Sequence, residues 1–522
     1  MANEYVSIPK EKFAFTNADG KLHDEKLKTK ARGYFADAFL RFRKNKSSVV
    51  AGIIIIILVL FSIFAPILSS FDIEDKDEVF RNFPPFIEGI ANLNLGILDG
   101  SKTLASQNER QIQIFNGIAQ ETGHNPIIDA SNTETYTIRE RGEDVIKTSY
   151  INVEVNAYYA KGLRFINVSK EEFLAIQKWQ NETGIQVIYP MVLQEDIFPS
   201  TVKPENYPTE DPSIWYKCKD TKFNADYRPD GSFKPAYLKD QSKASQVPYE
   251  SLRIEGDKGD YVYAIDKGSA IRIRVFHYTY YHFLNGQKAN FLFGTDAYGR
   301  DLLCAIGMGA RFSLIFAVLV SAVNLTLGAI YGAIQGYYGG WIDMVLDRIS
   351  DILSGMPFMV VIALFQYHLA PKLGKTGPLV AFFLAFIATG WIGMAALTRK
   401  QFYRFKNSEY VMAARTLGAS DKRLMFKHIF PNSLGTMVTS CVLVIPGVIS
   451  SETSLTYLKI INLAQFTGTS VGELMSLGQT AATASPHAML FPALFVGLLL
   501  ISFNLFGNGL RDAFNPSTRG VE

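Results

Sequence analysis

Long uncharged apolar runs alternate with polar stretches along this chain, and the runs set its frame. The run from Ser48 to Leu68, SVVAGIIIIILVLFSIFAPIL, is long enough for a helix to cross a bilayer. Similar runs predict spans at about 312–334, 352–369, 378–398, 434–458 and 487–507. Six spans bring both chain ends to the same side of the membrane.

Between the first and second runs the pattern changes. Residues 71–290 are polar, with strand-like alternation at Ile151, Val153 and Val155 and again at Ile271, Ile273 and Val275. Lys170 to Gln180 reads as a helix, and Pro and Gly punctuate the rest. This predicts an inserted α+β domain with a core of its own. Phe165, Ile166, Phe173, Leu174, Ile176 and Trp179 are spaced for packing, and Phe276, Tyr278, Tyr280, Tyr281 and Phe283 add aromatic area. The expected organisation has five parts. They are an N-terminal segment 1–47, a first transmembrane helix 48–70, the insertion 71–290, a core 291–510 with five more helices, and a tail 511–522.

Charge orients this frame. Arg41, Arg43, Lys44 and Lys46 precede the first span, and Arg399, Lys400, Arg404 and Lys406 follow the fourth. Basic loops stay inside, so both termini are expected in the cytoplasm and the insertion outside. The mean hydropathy of +0.08 hides the contrast between the two regions, and the net charge of +3 favours no partner. Cys218, Cys304 and Cys441 lie far apart, without metal-ligand spacing, and no cleavable leader is expected before the first run.

Three features inside the frame suggest specific packing. Gly328, Gly332, Gly336 and Gly340 recur every fourth residue, on one helix face, where small residues let helices approach closely. Asp343, Asp347 and Asp351 repeat at the same spacing, either as a solvated face or as partners for the basic loop. Glu452, near the outer end of the fifth span, is a carboxylate in membrane surroundings.

The stretch Glu409 to Asn432, EYVMAARTLGASDKRLMFKHIFPN, predicts two short helices. Gly418 ends the first through a left-handed turn, Ser420 caps the second, and Pro431 stops it. A basic helix–Gly–helix suits DNA, but a membrane span on each side excludes nucleic acid. AARTLG followed by HIFPN resembles the coupling motif of ABC-importer permeases of the oligopeptide and dipeptide family, with Met412 where the family usually has Glu. FGTDAYGRDLL and MGARFSL, between Phe293 and Leu314, resemble the signature of that family's C-type subunit. There Cys304-Ala305 stands where Ser-Arg is frequent. FNLFGNGLRDAFNP resembles its closing segment, with Asn508 in place of the usual Asp.

The resemblance implies an ABC type I importer permease fold and a subunit that is not an enzyme. It implies ATPase coupling through Ala413, Ala414, Arg415, Gly418, Ala419 and Pro431, within a cytoplasmic loop 399–432. It places the family signature at the outer mouth on Gly294, Thr295, Asp296, Gly299, Arg300, Asp301, Gly309 and Arg311. The implied partners are a second homologous permease, two ATPase subunits, an extracytoplasmic peptide-binding protein and the lipid bilayer of a bacterial cytoplasmic membrane. ATP and Mg would sit on the ATPases, with no cofactor on this chain. A membrane sensor with an external ligand domain, or an importer of another solute such as nickel, are the rival readings.

Three motifs that would indicate an enzyme fail on chemistry. Gly96 to Thr103 and Gly374-Lys375-Thr376 lack the glycine spacing that lets backbone amides cradle phosphate. Gly468 to Gly472 matches a nucleophile elbow but follows a membrane span instead of a strand. His277 and His282 are expected as strand residues on opposite faces and not as metal ligands.

Overall fold

The computed structural model describes residues 34–93, 95–140, 143–189 and 263–514. Cys218, Asn515 and Pro516 lie outside the described residues. Helix α1 (Tyr34–Lys44) leads through Asn45 into α2 (Lys46–Leu68), the first crossing. The Asn45 side chain accepts from the Ser48 amide at 3.3 Å, pairing one of the N–H groups that a helix start leaves open. Pro66 cannot donate to Ser62, four residues back. Arg311 supplies that carbonyl instead, with Nε 3.2 Å from Ser62 O and Nη2 2.9 Å from Ile63 O.

The insertion contains ten described strands in three small sheets, all paired antiparallel. β1 (Ser101–Leu104), β6 (Val153–Asn156) and β3 (Ile127–Asp129) form one. β2 (Gln107–Asn108), β5 (Glu143–Tyr150) and β4 (Thr133–Glu140) form the second, a projecting ribbon. In the third, β10 (Ile271–Phe276) pairs with β7 (Leu163–Val168), β8 (Ile188–Tyr189) and β9 (Ala264–Asp266).

Two hydrophobic cores hold these sheets to helices. One gathers Phe80, Phe86, Tyr158 and Phe291 around α3 (Glu109–Thr122). The other sets Phe173 and Ile176 of α4 (Lys170–Thr183) against Ile273 and Val275. Leu174, expected in that core, is 63% exposed, because the helical turn carries it to the opposite face from Phe173 and Ile176. His277 and His282 lie in a helix, α5 (His277–Asn285), and not in a strand. Burial of His277, Tyr278 and Tyr281 on one helical face outweighs the β preference of these aromatic residues.

Among the described residues, five helical stretches are long and apolar enough to cross a membrane: Lys46–Leu68, Leu302–Tyr338, Phe358–Phe405, Asp421–Tyr457 and His487–Phe514. The third of these reverses direction. Gly374 has φ 72° and ψ −152°, outside helical geometry. Gln366 Nε2 donates to Pro378 O at 2.8 Å, and the Phe358 and Phe386 rings meet at 4.9 Å. The partners move apart in sequence as they recede from the turn, which marks an antiparallel hairpin. That hairpin continues away from the turn to Asp343 and Tyr403, whose side chains are hydrogen-bonded.

The third crossing therefore begins earlier than position 352 and is broken. It comprises α7 (Gly340–Ser354) and α8 (Phe358–Leu364), separated at Gly355-Met356-Pro357. It follows α6 (Leu302–Tyr338) and returns through α9 (Gly377–Gly390) and α10 (Ile392–Phe405). The next helix, α11 (Glu409–Thr416), is short. α12 (Phe430–Tyr457), the short α13 (Val471–Thr480) and α14 (His487–Phe514) complete the bundle, giving six passes. Ser48 Oγ donates to Leu505 O at 3.1 Å and the Phe61 ring meets that of Phe495, so α2 and α14 run antiparallel, and both ends of the described chain lie at the same end of the bundle as α11. The insertion sits at the opposite end of the bundle.

Candidate functional site

The stretch after α10 forms a knob. Gly418 takes φ +79°, and Leu417, Gly418 and Ala419 turn their amides back to Ala413, Arg415 and Ala414 at 3.0–3.1 Å. One side of the knob is apolar and buried. Val411, Leu424 and Ile429 pack with Ala333 and Tyr337 of α6 and Phe402 of α10, and Ala414 and Ala419 pad the edge. Tyr337 OH donates to Asp421 Oδ1 at 2.5 Å and fixes the second half. The other side faces out. Leu417, beside the Gly418 turn, is 88% exposed, and Met412, Phe426, Ala413, Arg415, Lys422, Arg423 and Lys427 are also exposed.

Pro431 does not stop the second helix. A short α turn, Asp421–Arg423, runs through a π turn, Leu424–Ile429, into α12, with Pro431 in its first turn. A wider π turn relieves the clash between the proline ring and the carbonyl four residues earlier. Ser420 begins that helix by backbone geometry alone, with no side-chain cap.

The signature residues form a buried clip at the other end. Thr295 Oγ1 accepts from Phe83 N at 2.8 Å and donates to Phe80 O. Asp296 accepts from the Tyr298 and Arg300 amides at 2.8 and 3.0 Å and from Arg300 Nε at 2.7 Å. Arg300 Nη1 then reaches Gly468 O at 2.9 Å. Asp301 caps α6 through the Leu303 and Cys304 amides and accepts from Ser69 Oγ at 2.7 Å. Burial raises its carboxyl above the usual range, against the lowering effect of those donors. Gly294 and Gly299 have φ +77° and +76°, and a Cβ on either would strike the carbonyl of Phe83 or of Asp77. At Gly309 a Cβ would lie 2.8 Å from the Val471 amide at the start of α13. Arg311 is the residue that completes the carbonyls near Pro66. The clip thus joins the first crossing, the base of the insertion, α6 and α13.

The glycine stripe seats α10 on α6. A Cβ on Gly328 would lie 2.6 Å from Met394 Cβ, and one on Gly336 would lie 2.6 Å from Phe402 Cβ. On Gly332 it would overlap Ala395 O. Gly340 does not share this face. α6 ends at Tyr338, and Gly340 opens α7 at φ +56°, where a Cβ would meet nothing within 4 Å. Asp343 and Asp347 pair with Arg399, whereas Asp351 pairs with Arg348 on the surface.

Glu452 is fully buried, and Ser313 of α6 donates to its Oε2 at 2.7 Å. It is a helix–helix contact. Ser470, centre of the elbow-like motif, caps α13 through Glu473 N at 3.2 Å and follows no strand. Among the described residues no group of three or more His, Cys, Asp or Glu could hold a metal ion.

Residues 324–520 match the family described as the binding-protein-dependent transport system inner membrane component. Residues 33–85 match the N-terminal TM domain of oligopeptide transport permease C. The chain is 39% identical over 227 residues to the oligopeptide transport system permease protein OppC of Bacillus subtilis (strain 168), covering 44% of this chain and 72% of that protein. It is 36% identical over 234 residues to the dipeptide transport system permease protein DppC of the same organism, with 44% and 70% covered. To OppC of Haemophilus influenzae it is 40% identical over 230 residues, again with 44% and 70% covered. Among solved structures, a chain of the inward-facing MetNI methionine ABC transporter is similar at a TM-score of 0.31 and 13% identity, covering 40% of this chain and 95% of that one.

Proposed function

The chain belongs to the oligopeptide and dipeptide transport permeases of the C type, and from that premise we propose that it is the membrane-spanning subunit of a peptide importer driven by ATP hydrolysis on partner subunits. It is a multi-pass protein of the cell membrane and carries no catalysis of its own. The observation that supports coupling is the knob, which presents an exposed leucine, Leu417, together with exposed Arg415, Lys422, Arg423 and Lys427. An exposed leucine on a rigid helix–turn–helix suits insertion into a cleft on an ATPase. The partners are a second homologous permease, two ATPases holding ATP and Mg, and an extracytoplasmic peptide-binding protein.

The knob faces the cytoplasm in this reading. Arg41, Arg43, Lys44, Lys400 and Arg404 belong to the same end of the bundle, and basic residues are retained inside. The insertion then lies outside, beside the mouth that the binding protein would serve. Closure of the ATPases would pull the knob, and the close seat of α10 on α6 would pass that movement to the spans.

The test is uptake of labelled peptides of graded length by cells with and without this subunit, joined to copurification of the ATPases. Leu417→Asp should leave the chain in the membrane while ATPase recovery falls by about tenfold or more, the loss expected for a central interface residue. Unchanged recovery would remove the coupling role. A reporter active only outside the cytoplasm should be active when fused in the β4–β5 ribbon and silent at Asn407. The reverse would overturn the orientation.

A further inference from the structure

The third crossing is broken, and its inner half is fastened in an unusual way. α7 supplies no residue to the main core or to the two smaller cores around α6 and α10. Its buried residues are Asp343 and Ser350, while Trp341, Met344 and Ile352 are exposed. Ser350 Oγ bonds within its own helix, to Leu346 O. Tyr331 OH of α6 reaches the same carbonyl at 2.7 Å. Every other described side-chain hydrogen bond between α7 and another helix comes from α10. Arg399 Nη2 lies 2.6 Å from Asp343 Oδ2, Arg399 Nη1 lies 2.7 Å from Asp347 Oδ1, and Tyr403 OH reaches Asp343 Oδ2.

The geometry of this fork is specific. Two carboxylates one helical turn apart present one edge to a planar guanidinium, which can satisfy both at once. A lysine offers a point charge without that plane. Asp343 is largely buried and Arg399 about a quarter exposed, so water screens the contact less than a surface pair.

The two ends of α7 meet different conditions. Toward the knob, α10 reaches α11 through only Lys406, Asn407 and Ser408, and Lys406 Nζ binds Gly336 O at 3.1 Å. Toward the outside, α7 stops at Gly355-Met356-Pro357. Pro357 has no amide to continue the ladder, and its backbone is extended. Beyond it, Val361 and Ile362 of α8 are buried in the main core, with Phe358 packed against it.

We propose that Arg399 is a positioning residue that makes α7 travel with α10 and the knob, while α8 stays with the outer core and residues 355–357 act as the hinge. This rests on the reading above that the knob receives the ATPase movement. The inner half of one crossing is thereby a lever, and Arg399 is its pin.

The experiment uses the full complex in proteoliposomes, with non-natural spin-labelled residues at exposed Met344, Lys400 and Val360. Distances are taken without nucleotide and with ATP trapped. In the wild type, Met344–Lys400 should hold constant between the states while Met344–Val360 changes. In Arg399→Gln, Met344–Lys400 should broaden, and peptide uptake should fall by about tenfold or more while ATP hydrolysis stays within about twofold. Arg399→Lys should restore uptake only in part. A wild-type Met344–Lys400 distance that changes as much as Met344–Val360 would overturn the proposal, as would full uptake in Arg399→Gln. The wild-type distances decide the matter even where a variant fails to assemble. Wild-type uptake, measured in the same vesicles, separates failure of the lever from failure of the transport reading.

Discussion

Arg274 and Glu121 meet as a bidentate ion pair in the interior of the insertion, at 2.7 Å between Nη1 and Oε1 and 3.0 Å between Nη2 and Oε2. Their side chains are 0% and 5% exposed. Glu121 lies on α3, whose Ile112, Phe115 and Ile118 belong to one core, and Arg274 lies on β10, whose Ile271, Ile273 and Val275 belong to the other. The pair therefore ties the two cores together.

Removing one partner takes from the other buried charge its bidentate counterion. Glu121→Leu should destabilise the insertion by about 3–5 kcal/mol, whereas Glu121→Leu combined with Arg274→Met should recover most of that loss. Pulse proteolysis of the detergent-purified chain across a denaturant series measures both. Equal loss in the single and double variants would show that the ion pair itself carries the stability.

The base of the insertion should weaken in acid. Burial pushes the Asp77 carboxyl up, but the His277 hydrogen bond at 3.0 Å, its charge, and the Val79 and Phe80 amides outweigh burial and hold it below the usual range. A carboxyl depressed in the folded state contributes stability that is complete above its unfolded value, about 4, and is lost as pH falls through the lower folded value. Proteolytic protection of the insertion should thus be flat in this contribution above about pH 4 and decline below it. Asp77→Asn should lower protection near neutral pH and flatten the decline. An unchanged acid profile in that variant would assign the loss to other groups.

What could be read from the chain depended on the range over which each signal acts. The spans and the glycine stripe repeat at local spacing, so Gly328, Gly332 and Gly336 were legible as a packing face. Gly340 was not, because the same spacing continues across the end of α6, where the helix had already stopped. Pro431 reads locally as a terminator, yet its meaning depends on a π turn formed by the residues before it. The break at 355–357 hides inside an apolar run. The acids of α7 read either as a solvated face or as partners for the basic loop, and the choice is made only when α10 folds back to bring Arg399 beside Asp343 and Asp347. In the insertion, β7 and β10 are separated by about a hundred residues, and no local pattern states that they pair.

Three glycines separate two reasons for needing glycine. At Gly332 the backbone is ordinary helix and the constraint is the neighbour. A Cβ there would overlap Ala395 O and lie 2.8 Å from Thr398 Cβ, and backbone atoms of a packed helix cannot yield as a flexible side chain can. Gly332→Ala should part α6 from α10 and cost about 1–3 kcal/mol or more, as overpacking does. At Gly418 there is open space, with nothing within 4 Å of a Cβ, and the constraint is φ +79°. Gly418→Ala should cost about 1 kcal/mol of backbone strain confined to the knob. Gly393, on α10, has neither constraint, so Gly393→Ala should be neutral or stabilise by up to about 1 kcal/mol through helix propensity. The recovery of monodisperse chain after graded heating should rank Gly393→Ala first, then Gly418→Ala, then Gly332→Ala. ATP hydrolysis stimulated by the peptide-loaded binding protein should fall in Gly418→Ala even where its recovery matches the wild type. Retention of full stimulation by Gly418→Ala would mean that the turn angle of the knob does not matter for coupling. A Gly332→Ala chain as heat-resistant as Gly393→Ala would mean that α6 and α10 are not held at contact distance in the membrane.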